Sequence, residues 1–293
     1  MPEALTLALQ LRAPMQSWAE GDRFADRASS ALPTRSAVIG MLASALGRER
    51  QDDVSDLARL DFGVRADVLG ENRRDFQTAF ASAHLKKLRT HESLSWPYMR
   101  EADLAHISVR SYLNDASFVV ALRGEAPLVT ELRDAVMSPA RPLYLGRKSC
   151  PLTNWPLLGT FSDLELADQW AEQVQQGRPE VSSPLLAALY LTPLDARAGL
   201  CVFELDAWAL SEAELPRYAS FGTRLDMPTS SFADRRYGMR EVWRWEQDLR
   251  SWHDARLGSA VNQGAVNQDQ PELAQAEFEA PLSAATSLDV SWP

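Results

Sequence analysis

The sequence predicts an α+β fold whose elements run strand, helix, strand, strand, helix, strand, followed by a smaller and partly irregular C-terminal region. Three observations carry this. Leu5, Leu7, Leu9 and Leu11 alternate with Thr6, Ala8 and Gln10, the period of a strand with one buried face. A helix follows with both ends marked. Leu60, Phe62 and Val64, then 75–82, then Phe118, Val120 and Leu122 read as further strands before a second helix opened by Pro127. This order is the ferredoxin-like, split βαβ pattern.

The first helix is the most legible element. Thr34 stands at its N-cap position with Pro33 before it, Val38, Ile39, Leu42, Ala45 and Leu46 form its apolar face, and Gly47 is free to turn left-handed at its end. Arg35 and Ser36 occupy the first turn, where outward N–H groups and the positive end of the dipole favour an anion. The second helix has Leu128, Leu132, Ala135 and Val136 on one face, and Leu143, Tyr144 and Leu145 read as a short strand beyond Pro139 and Pro142. The interval 83–110 is too long and polar for a hairpin loop and reads as an inserted arm. In the second half, 163–178 reads as an acidic helix, 185–192 and 200–205 as strands, 217–245 as a segment rich in arginine and aromatics, and 257–293 as a flexible tail. These divisions give regions 1–160, 161–256 and 257–293.

Charge is unevenly spread. The net charge is −10 over 293 residues, yet residues 1–160 hold 20 basic and 19 acidic side chains while 161–293 hold 10 and 21. A neutral half with basic clusters leaves room for local anion contact that the total charge hides. Arginine outnumbers lysine 27 to 3, which suits bidentate phosphate contact. The start, Met1-Pro2-Glu3, has no basic and apolar leader, and there is no long apolar run, so a cytoplasmic protein is expected. Cys150 and Cys201 have no metal or disulfide spacing, and no cofactor motif is present.

Three clusters suit nucleic acid. Arg147, Lys148 and Ser149 follow Gly146 at a strand end. In the arm, His84, Lys86, Lys87, Arg89 and His91 precede Trp96, Tyr98 and Arg100, so cations for phosphates interleave with rings for bases. Arg235, Arg236, Arg240 and Arg244 lie among Phe232, Tyr237, Trp243 and Trp245, fitting RNA, a protein partner, or ordinary ion pairs with Asp234, Glu241 and Glu246. A metal-independent ribonuclease could draw on His84 or His91, Lys86 or Lys87, and Tyr98.

Taken together, Leu11-Arg-Ala-Pro-Met-Gln-Ser-Trp18, Phe24-x-x-Arg27 leading into Pro33-Thr-Arg-Ser-Ala-Val-Ile-Gly40, and Pro142-Leu-Tyr-Leu-Gly-Arg-Lys-Ser-Cys150 resemble the CasD family of Cascade CRISPR subunits. Asp75-Phe-Gln-Thr78 and Arg110-Ser-Tyr-Leu-Asn-Asp115 fall between them in order. The resemblance implies an RRM/RAMP-type ferredoxin-like domain with a β-hairpin thumb at about 83–110. It implies a non-catalytic type I-E role: binding the 5′ handle of the CRISPR RNA, capping the filament of backbone subunits, touching the large PAM-reading subunit, and meeting target DNA only indirectly, with no membrane contact. A type I-C relative cuts RNA itself, which keeps the endoribonuclease alternative open. Gln16, Arg27, Arg35, Ser36, Lys86, Lys87, Arg89, Arg110, Tyr112, Arg147, Lys148 and Ser149 are the RNA-binding candidates.

Overall fold

The structure, a computed structural model, describes residues 3–19, 26–80, 105–175, 178, 181–234 and 236–249, with backbone alone at 26–27, 79–80 and 105–107. The chain divides into units 1–251 and 252–293, and every described residue lies in the first.

The leucine alternation forms β1 (Ala4–Arg12), and Leu60–Val64 and Phe118–Leu122 lie in or beside β4 (Asp61–Val68) and β7 (Ser117–Glu125). With β8 (Leu157–Ser162), β9 (Leu200–Asp206), β10 (Ser220–Pro228) and β11 (Tyr237–Asp248) they build one seven-stranded sheet in the order β10-β11-β9-β4-β7-β1-β8. Every pairing in it is antiparallel. A smaller sheet joins β2 (Met15–Gln16), β3 (Asp26–Arg27) and β6 (Ala105–Asn114), and β5 (Glu71–Phe80) pairs with β6 in a ribbon whose outer strand is exposed over 71–76.

Helices cover both faces of the large sheet. Successive strand residues point to opposite sides. Phe62, Val64 and Ala66 of β4 join a core with Val38 and Leu42 of α1 (Arg35–Ala45) and Val129, Leu132 and Val136 of α2 (Ala126–Met137). Arg65, between them, reaches the other side and donates to Leu189 and Thr192 at the end of α4 (Pro184–Leu191). There α3 (Asp163–Gln175) and α4 carry Trp170 and Tyr190 over Phe203 and Trp245, an aromatic row with centroid separations of 5.3, 5.1 and 5.1 Å.

Three expectations are corrected here. Residues 185–192 are helical, because Ser183 caps the run by accepting from Leu186 N–H and Pro184 starts it, while an apolar stretch buried all round shows no period. Residues 143–145 form no strand. Tyr144 makes a lone bridge to Pro151, and the strand beside β1 is β8. Residues 105–110, assigned to the arm, belong to β6, and 81–104 lie outside the described residues.

Candidate nucleic-acid interface

The N-terminus of α1 binds an anion, but the anion is internal. Asp226 of β10 accepts Arg35 N–H at 2.9 Å, where the dipole end is positive. Thr34 sits at the N-cap with no side-chain cap bond, its hydroxyl 3.5 Å from the Ala19 carbonyl. Arg35 itself points inward. It is fully buried, pairs with Asp206 at 2.6 Å, and donates to Ala58 and Leu60 carbonyls. It is therefore not a phosphate contact: a guanidinium enclosed with its carboxylate has no face left for RNA.

The carboxylates belong to a cluster that the sequence did not reveal. Arg240 holds Asp226 through two bonds of 2.9 and 3.0 Å, Asp206 at 2.8 Å and Glu204 at 3.3 Å. Arg244 hydrogen-bonds Glu204 as well, and Arg224 forms an ion pair with it at 3.6 Å. Burial pushes the Asp206 carboxyl up, against the pull of Arg35 and Arg240. For Asp226 burial works the same way, but the hydrogen bonds and charge of Arg240, the Arg35 N–H and the charge of Arg224 together outweigh it and hold the carboxyl below its usual range. Arg240 and Arg244, read from sequence as candidates for RNA, a partner or local ion pairs, are thus paired with Glu204, Asp206 and Asp226. Among the described residues, Glu241 and Glu246 make no ion pair with Arg240 or Arg244.

The 144–150 segment is pinned against the start of the small sheet. Ser17 N–H donates to Leu145 O at 3.1 Å, and Gly146 adopts φ +91° so close to Ser17 that a Cβ would lie 1.7 Å from its carbonyl oxygen. Only glycine fits this approach. Arg147 then lies over the Tyr112 ring, 4.6 Å from its centroid, and donates to Ser111 O at 3.0 Å. Tyr112 is buried, its face covered by Arg147, so it supports that arginine and is not a free stacking ring. In the register of the ribbon, Tyr112 is opposite Arg73 and Arg110 opposite Asp75, while Arg27 pairs with half-buried Arg110 across β3 and β6. The Arg27 side chain lies outside the described residues. Gln16 is fully buried. Its amide donates to Leu11 and Ala116 carbonyls and its oxygen accepts from Trp18, so it lines no groove.

On the other side of the same segment lies a cleft of about 600 Å³. Ser36, Ala37 and Gly40 of α1 form its floor, Gly146 and exposed Lys148 one rim, Arg48 and exposed Arg50 another, and Phe232 and Tyr237 a third. Arg48 pairs with Asp56 and Arg141 with Glu49, whereas Arg50 and Lys148 make no ion pair among the described residues. Ser36 and Lys148, predicted from separate motifs, do meet here. Exposed Ser149 follows at the segment's surface. Among the described residues no group of three or more His, Cys, Asp or Glu is arranged for a metal ion, and no helix is long and apolar enough to cross a membrane.

The elements that frame this cleft fall within one homologous stretch: the family of CRISPR-associated protein (Cas_Cas5) matches residues 6–243. The chain belongs to this family. Its curated relative, the CRISPR system Cascade subunit CasD of Escherichia coli (strain K12), is 37% identical over 171 residues, covering 53% of this chain and 70% of that protein. A solved structure titled "Crystal structure of Cas protein" aligns with TM-score 0.55 and 30% identity over 83% of this chain and 95% of that one. A chain of a "CRISPR RNA-guided surveillance complex" shares the fold, with TM-score 0.55 and 24% identity over 83% and 90%.

For this Cas5 family member, Lys86, Lys87 and Arg89 lie outside the described residues, as do His84, His91 and Tyr98. Sequence reasoning missed Arg50, Phe232 and Tyr237 as cleft residues. Arg50 follows shortly after the helix-ending Gly47, where Arg48 N–H closes on Ala43 O at 2.9 Å, and that turn was the available signal.

Proposed function

We propose that this chain is a non-catalytic subunit of a type I-E Cascade complex that binds the 5′ handle of the CRISPR RNA and caps the backbone filament. On this reading its partners are the RNA, the backbone subunits and the large PAM-reading subunit, with target DNA met indirectly. The strand quartet β8-β1-β7-β4 with α1 and α2 serves as the ferredoxin-like RAMP domain, and the thumb is assigned to the interval between β5 and β6. The similarity to CasD supports the assembly. One observation supports the RNA contact best. Arg147 faces the ribbon while Lys148, its neighbour, faces the cleft with Arg50, so one short segment joins two basic surfaces. Ser36, Ser149, Arg110, Arg27, Lys86, Lys87 and Arg89 are assigned to the same RNA contact on this reading.

Binding of single-stranded RNA to the purified chain, titrated against salt, tests this. Each phosphate contact contributes a log–log slope of about −0.7. Arg50→Glu with Lys148→Glu weakens binding and flattens the slope by about 1.4, two such contacts. A parent whose affinity is flat in salt overturns the proposal, and so does cleavage of precursor RNA in EDTA.

A further inference from the structure

We propose that the cleft is a base-stacking pocket, in which one unpaired nucleobase of the bound RNA packs against the Tyr237–Phe232 wall while its phosphates lie against Arg50 and Lys148. The inference rests on the reading of the chain as an RNA-binding subunit and adds a stacking site to it. A phosphate chain alone needs cations on a surface. It needs neither a recess of about 600 Å³ nor rings along one side of it. The volume falls in the range of small-molecule pockets, about 300–1,000 Å³.

Small residues keep the recess open. Ala37 and Gly40 face it from α1, and the Phe232 ring rests on Gly40, where an added Cβ would be 3.6 Å from Cζ. Phe232 is thereby fixed against the helix, and the backbone of Ala233 bonds to Arg50 O at 2.8 Å, tying this wall to the basic rim. Tyr237 begins β11 opposite Pro228, is half-buried, and its hydroxyl makes no hydrogen bond among the described residues. A half-buried ring in the same cleft as cations that make no ion pair among the described residues matches how single strands are held, with sequence-tolerant stacking plus electrostatics. The two contributions separate experimentally, because stacking is insensitive to salt and phosphate contact is not.

The test uses the full chain and a short oligoadenylate RNA carrying a fluorescent adenine analogue at successive positions, with circular dichroism as a fold check. Tyr237→Leu is expected to weaken binding about tenfold with an unchanged salt slope, Tyr237→Trp to restore it, and one analogue position to be quenched only when an aromatic residue is present. Ala37→Phe, which fills the floor, is expected to abolish that quenching. If Tyr237→Leu and Ala37→Phe both bind as the parent does with the parent's salt slope, the stacking pocket is overturned while the RNA-binding reading stands. If the parent shows no salt-dependent binding of this RNA, both fall.

Discussion

Two sets of cations flank α1. Arg35, Arg224 and Arg240 are enclosed between the helix and the β10–β11 hairpin, each bonded to Glu204, Asp206 or Asp226. Arg50 and Lys148 stand in solvent around the cleft on the same helix's flank, with no ion pair among the described residues. The enclosed set organises the fold. It ties three strands to the start of α1, and its carboxylates come from the acidic half of the sequence. The exposed set leaves positive charge available outside. The enclosed arginines and carboxylates cancel one another, so the net −10 is carried by the rest of the chain and the cations of the cleft are a local exception to it.

The contrast is sharpest in stability. Arg240→Met leaves Asp206, Asp226 and Glu204 short of a buried partner and should cost about 3–5 kcal/mol of unfolding free energy, read by urea denaturation. The Arg50→Glu, Lys148→Glu pair should stay within about 0.5 kcal/mol of the parent. Equal losses in the two variants would break the comparison.

Gly146→Ala tests how the exposed set is held. A positive φ in a residue with a Cβ costs about 1–3 kcal/mol before any clash, and here the added carbon meets the Ser17 carbonyl. A lowered unfolding midpoint together with weaker RNA binding is expected. An unmoved midpoint means that the segment is not anchored as described.

Asp195 and Arg197 are an intermediate case, with the carboxylate buried and the guanidinium partly exposed. Burial raises the Asp195 carboxyl, but hydrogen bonds from the Arg197 side chain and N–H outweigh it and bring it down to about 2. A depressed carboxyl stabilises the fold fully above its unfolded value of 3.8 and loses that contribution as pH falls toward about 2. The stability gap between the parent and Asp195→Asn should accordingly be constant near neutrality and narrow across that window. A gap that widens on acidification contradicts the assignment.

Legibility followed the kind of signal each residue carries. Helix α1 and strands β1, β4, β7 and β9 were readable because one-sided burial imposes a period or an alternation. The α4 segment failed because an apolar run covered on all sides has neither, although Ser183 and Pro184 marked its start. In the site, Ser36 and Lys148 were found from local motifs and do meet. Arg35 came from the same motif as Ser36 and Gln16 from the Leu11–Trp18 segment, and both turned inward to partners far along the chain, Asp206 and Ala116 among them.

By itself, the sequence determined helices α1 and α2, the alternating strands β1, β4 and β7, where α1 ends, and that Gly146 introduces a cluster of cations, since these depend on neighbours within a few residues. Tertiary structure alone decided which arginines face water. A guanidinium has the same preference for a carboxylate as for a phosphate, and only the register of β9, β10 and β11 beneath α1 placed Glu204, Asp206 and Asp226 where they could take Arg35 and Arg240 first.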